Sequence, residues 1–74
     1  MVEIFIKESC ILLGQFLKFS GIISNGGEAK IFLLENDVFV NEMPENRRGR
    51  KLYNGDVVKV FETKYIVKEM SCEN

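Results

Sequence analysis

The chain has no histidine, no tryptophan, one proline and two cysteines among its 74 residues, and each shortage closes off a class of function. Without imidazole, no side chain exchanges protons near neutral pH at its ordinary pKa, and no Ser-His or Cys-His nucleophile pair can form. Cys10 and Cys72 do not make a disulfide framework, and with no His they fall short of the four ligands of a structural zinc site. Cys10 reads as a small buried hydrophobe and Cys72 as part of a loose tail. Gly26-Gly27 belongs to neither a Walker A nor a dinucleotide fingerprint. Glu42 and Glu45, on either side of Pro44, read as solvated turn residues rather than an acid–base pair. The expectation is a protein that is not an enzyme and carries no metal and no cofactor.

Long apolar runs are also missing. None approaches the roughly 20 residues a membrane helix needs. Glu3 sits where a secretory signal would be basic, and Ile4–Ile6 ends at Lys7-Glu8. A cytoplasmic location is therefore expected, with no membrane and no small-molecule substrate as partner.

What is present is core material. Apolar residues make up 46% of the chain, including six Phe. One domain spanning residues 1–74 is expected, its core over about 11–67 and its tail, 70–74, frayed. A chain this short buries only about 60% of the surface that it exposes when unfolded, so its stability is marginal.

The net charge of −1 hides a polarised distribution. Arg47, Arg48, Arg50 and Lys51 hold four of the ten basic residues, which leaves the rest of the chain at −5. An acidic body with one concentrated basic loop points to a polyanion or an acidic partner.

Local patterns give the order β-α-α-β-β-β. Val2, Ile4 and Ile6 alternate as a strand. Leu13, Phe16 and Leu17 recur at helical spacing, with Ser9 as an early cap. Asn25-Gly26-Gly27-Glu28 has the spacing of a capping box, followed by the stripe Ala29, Phe32 and Leu33, with Asn36 as a left-handed stop. From Val38-Phe39-Val40 the period is that of strands. Turns fall at Asn41–Pro44, Asn54–Asp56 and Glu62–Lys64, between Val57–Phe61 and Tyr65–Lys68. The expected core contains Leu13, Phe16, Leu17, Ala29, Phe32, Leu33, Val38, Val40, Val58 and Val60. The fold class is α+β, with two packed helices against a small curled β-sheet.

Two segments suit phosphate. At the start of the second helix, the backbone amides of Asn25, Gly26 and Gly27 point outward where the dipole is positive, and glycines permit close approach. In the basic loop the Arg forks match phosphate oxygens, their planes stack on unpaired bases, and Gly49 lets the loop follow a backbone. Tyr53 stands beside this loop, in place either to stack on a base or to join the core.

The ordered set of motifs resembles a known family. Leu13-Gly14-Gln15-Phe16-Leu17-Lys18, Gly26-Gly27-Glu28-Ala29-Lys30, Val38-Phe39-Val40-Asn41, Asn46-Arg47-Arg48-Gly49-Arg50-Lys51-Leu52 and Gly55-Asp56-Val57-Val58-Lys59-Val60 are similar to the alpha-L RNA-binding motif. This is the S-four-type domain, named after a protein of the small ribosomal subunit. The stand-alone bacterial YaaA proteins are the group within it that the chain most resembles. The resemblance implies a ribosome-associated module that binds structured RNA, ribosomal or transfer RNA, through helix two and the facing β-loop. Many relatives carry Arg-Leu-Asp where this chain has Leu12-Leu13-Gly14, and Ser-Arg before the Glu-Ala of helix two. The RNA role here therefore rests on Lys30, Arg47, Arg48, Arg50 and Lys51, with Asn25, Gly26 and Gly27. The alternative is an adaptor whose basic loop docks on an acidic protein, in ribosomal or nucleic-acid-processing machinery such as DNA replication or repair.

Overall fold

The computed structural model describes residues 1–70, and Cys72 and most of the tail expected to fray lie outside them. Ten short elements follow one another: β1 (Val2–Ile6), β2 (Cys10–Leu12), α1 (Leu13–Phe19), a 3-10 turn (Gly26–Glu28), α2 (Ala29–Glu35), β3 (Val38–Val40), β4 (Met43–Pro44), β5 (Lys51–Tyr53), β6 (Val57–Val60) and β7 (Thr63–Glu69). The main sheet runs β1-β7-β6-β3-β4, and β2 with β5 forms a separate antiparallel ribbon. Among the described residues only the β1–β7 pairing is parallel, with Val2 opposite Tyr65 and Ile6 opposite Glu69; the other strand pairs are antiparallel. The α+β class, a helix pair on a small sheet, is what the sequence predicts.

The helical stripe of α1 explains where it packs. Leu13, Phe16 and Leu17 are fully buried, and Phe16 meets the ring of Tyr65 on β7 edge-to-face at 5.6 Å between centroids. At the C-terminus of α1, Gly21 adopts φ +84°, its N–H bonds the Lys18 carbonyl, and the Ile22 N–H bonds that of Leu17. This left-handed glycine stop turns the chain back within a few residues, so that α2 packs beside α1. Of the expected core, every residue is buried except Phe32, which is half-buried; Ile6, Ile23, Leu52 and Val67 join it.

Several local expectations are corrected. Ser9 caps nothing, because Cys10–Leu12 pair with β5 and α1 begins at Leu13; the Leu12 N–H is taken instead by Gln15 Oε1 at 3.2 Å. Cys10 is half-buried in that ribbon. Asn25 makes no side-chain cap, and Glu28 reaches past it to accept the Ser24 N–H at 2.8 Å. Asn36 is extended rather than left-handed, because the chain runs straight on toward β3; its amide group donates to the Phe32 carbonyl at 3.1 Å. The β6–β7 turn is Phe61-Glu62, since Val60 pairs directly with Thr63. Phe61 adopts φ 57°, and its exposed ring rests edge-on against Phe32 at 5.9 Å. Along the face of β1 that Val2, Ile4 and Ile6 share, Val2 is exposed, Ile4 half-buried and Ile6 buried.

The β3–β4 hairpin leads into the basic loop. Its two-residue turn, Asn41-Glu42, has φ of 51° and 71°, the twist that lets a tight hairpin close. Asn41 also accepts the Val57 N–H at 3.0 Å and donates to Asp56 at 3.1 Å, which fastens this turn to the start of β6.

Candidate nucleic-acid interface

The basic loop is anchored by its backbone and by one buried acid. The Arg50 N–H closes a turn on the Arg47 carbonyl at 3.1 Å. The carbonyls of Arg50 and Arg48 then accept the N–H groups of Leu13 and Gly14 at 2.8 and 2.9 Å. Those amides are among the donors a helix start leaves without an internal partner, so the loop serves as the cap that α1 otherwise lacks. The contact is close because residue 14 is glycine: a Cβ there would stand 3.3 Å from both the Ala29 and the Arg48 Cβ. α1, α2 and the basic loop thus converge on Gly14.

Glu45 is the second anchor, and it is not a solvated turn residue. Its backbone N–H continues the hairpin edge by bonding the Val38 carbonyl at 2.8 Å, which turns its side chain inward to 6% exposure. There the carboxylate accepts Arg47 Nε at 2.9 Å and Nη2 at 3.2 Å, the Arg47 backbone N–H at 3.1 Å, and Arg50 Nη1 at 2.8 Å. These bonds, with the Arg47 side chain foremost and Arg50 next, hold its pKa down at about 2 against the cost of burial. In return, Glu45 raises the pKa of Arg47. Sequence reasoning missed this residue, although the signal was present: a single acid at the mouth of a run of three arginines.

The other expected site residues divide among three grooves. Arg48 and Gly49 share one with Gly14, Lys18, Phe19 and Gly26, so the loop and the start of the second helical segment do meet. Arg47, Gly49, Arg50 and Lys51 line a second, together with Tyr53. Asn25 and Gly27 face a third beside Ile31 and the carboxylates of Glu28 and Glu35, which repel phosphate. Lys30 is exposed on α2. Lys18, which carried no expectation, joins the set because it lies one helical turn beyond Gly14 on the groove side of α1.

The Gly26–Glu28 turn differs in kind from the loop. Its residues are all exposed, and a Cβ at Gly26 would meet nothing within 4 Å. The loop carries four cations against the one charge of Glu45, a net of +3 within one short segment. Such a surface neutralises and positions a polyanion. Among the described residues, no three His, Cys, Asp or Glu are gathered in a way that could hold a metal ion, and no helix is long and apolar enough to cross a membrane.

Residues 4–68 match the family model described as S4 domain. The chain is also 58% identical over 55 residues to a Bacillus subtilis (strain 168) protein described as probable ribosome maturation protein RlbA, an alignment that covers 74% of this chain and 78% of that one.

Proposed function

The chain belongs to the S4 domain family, and from that premise we propose that it is a non-catalytic, cytoplasmic RNA-binding module that recognises structured ribosomal or transfer RNA. The observation that carries this reading is the basic loop. Two of its cations, Arg47 and Arg50, are gripped by the Glu45 carboxylate, and its backbone is fixed to the start of α1 by two hydrogen bonds. A preorganised set of cations loses little entropy when it meets phosphate, and Arg forks can add bidentate geometry. Arg47, Arg48, Arg50 and Lys51 hold one phosphate run. Lys18 and the backbone of Gly26, in the groove shared with Arg48, hold a second together with the exposed Lys30; Asn25 and Gly27, expected there from the sequence, face the groove of Glu28 and Glu35 instead. Shape governs the choice of RNA, because the minor groove and phosphates of A-form helices carry little base code. The description of the Bacillus relative as a ribosome maturation protein supports ribosomal RNA as the target class.

The test is fluorescence anisotropy with ribosomal RNA fragments and transfer RNA across a salt series, paired with copurification before and after nuclease treatment. Salt-dependent binding, with partners lost on nuclease treatment, supports the reading. A partner that survives nuclease and is lost when the loop arginines are replaced makes the protein an adaptor for an acidic protein instead.

A further inference from the structure

The basic loop forms a ridge with a groove on each side, and Gly49 lines both. A Cβ at Gly49 would meet nothing within 4 Å, so the crest is open to an approaching backbone. Each groove combines cations with an aromatic ring exposed to solvent. On one side Phe19, 62% exposed, stands with Lys18 and Arg48. On the other Tyr53, 50% exposed, stands with Arg47, Arg50 and Lys51. The position of Tyr53 follows from the pleat of β5, where Leu52 points into the core and Lys51 and Tyr53 share the outer face. Among the described residues the ring–ring contacts are Phe16–Tyr65 and Phe32–Phe61, so neither Phe19 nor Tyr53 is spent on packing with another ring.

A continuous A-form duplex offers these rings nothing, because its bases are stacked on one another and only phosphates, 2′-hydroxyls and groove edges are presented. A base that has left the stack offers its whole face, and aromatic side chains beside cations are the usual platform for one. Building on the RNA-binding reading above, we infer that the RNA recognised here carries unpaired nucleotides at a bulge or junction. The backbone crosses the Gly49 crest, one base stacks on Tyr53 and another stacks on Phe19. Phosphates bind the cations between them. The two rings supply the selectivity that the cations lack, since a cation accepts a phosphate of any RNA.

The experiment compares a blunt, fully paired RNA duplex with the same duplex carrying a bulge of 5-iodouridines, which crosslink to stacked aromatic side chains under long-wave ultraviolet light. Wild-type protein should bind the bulged RNA at least about tenfold more tightly, the effect of one base stack or more, and peptide mapping should place crosslinks at Tyr53 and Phe19. Tyr53→Leu and Phe19→Leu should each lose about tenfold on the bulged RNA and leave duplex binding unchanged, whereas Tyr53→Phe should keep the preference. Gly49→Ala tests the crest independently: a Cβ there meets nothing within 4 Å, and binding of the bulged RNA should fall. Equal, salt-dependent binding of both RNAs, with Tyr53→Leu behaving as wild type, would overturn this inference and leave the RNA-binding reading standing. Binding of neither RNA at low salt overturns both.

Discussion

The two segments whose sequence suits phosphate, residues 46–51 and 25–27, are built in opposite ways. The first is braced: a buried acid grips two arginines, and two carbonyls cap a helix. The second is an exposed 3-10 turn in which no residue is buried and Asn25 makes no cap. Both expose groups suited to an anion, but only the loop has cations, Arg47 and Arg50, that the fold already orients. Charge that is concentrated and already oriented binds more tightly than backbone amides that hold no net charge, so the loop should dominate affinity and the turn should adjust it.

The largest effect expected from breaking that contrast is the replacement of Arg47, Arg48 and Arg50 together by Ala. With a net loop charge of +3, counterion release at about 0.7–0.9 per phosphate contact gives a wild-type log–log salt slope of about −2 to −3. The triple variant should flatten it by about 2 and weaken binding to most RNAs alike. Loop and core are not independent, because Glu45 loses both of its arginines, so the melting temperature should drop as well. An unchanged slope in the folded variant would put the RNA surface elsewhere.

Glu45→Gln comes next and separates bracing from charge. The carboxylate has a folded pKa of about 2 against 4.5 unfolded. A depressed acid stabilises the fold above its unfolded pKa, and that contribution disappears as pH falls through the folded value. Wild type should therefore lose stability relative to Glu45→Gln between about pH 4.5 and 2, followed by thermal melts. At neutral pH the variant should be less stable by about 1–3 kcal/mol, the scale of hydrogen bonds to a charged group. Parallel melting of the two proteins through the acid range would show that the brace contributes nothing.

Two glycines give smaller effects of opposite sign. Gly14→Ala forces a methyl to 3.3 Å from Ala29 and Arg48, and it should cost about 1–3 kcal/mol and loosen RNA binding by shifting the loop. Gly26→Ala meets open space and has no left-handed φ, so it should stabilise by about 0.4–1 kcal/mol. Denaturant titrations of the pair read both signs. Smallest of all, Gly26→Glu should weaken binding a few-fold through like-charge repulsion in the groove shared with Arg48 and Lys18. A loss as large as that of the triple arginine variant would make the two segments equals.

Much of this arrangement was legible in the sequence, because helical and strand periods are local signals. The stripe Leu13, Phe16, Leu17 and the alternation around Val58 and Val60 located the core. The failures share a cause: the deciding contact is a pairing or side-chain partner that no local period of the sequence announces. Cys10–Leu12 becomes a strand only because Lys51–Tyr53 stands opposite. Glu45 is buried because Val38 takes its amide and because arginines two and five residues later fold back on it. Phe61 looked like a strand residue by type, yet the pairing of Val60 with Thr63 leaves it in the turn. Of the expected site, the loop was found as a run of charge. Lys18 was not, since a single lysine on a helix has no signature until Arg48 and Gly26 are placed beside it.

The parallel pairing of β1 with β7 has a consequence for how the molecule is made. β1 begins the fold at Val2, and its partner β7 ends at Glu69, with the Met70 N–H closing on the Ile6 carbonyl at 2.7 Å. As the chain emerges from its own ribosome, the first strand has nothing to pair with until the last has been synthesised. The helix pair and the β3–β4 and β6–β7 hairpins can assemble from nearby residues, but closure of the sheet edge must wait for the most distant contact among the described residues, the slow kind in any folding reaction. Until then the Ile4 and Ile6 side chains remain exposed, and the nascent chain is at its most vulnerable to aggregation and proteolysis in the interval before Thr63–Glu69 clear the exit.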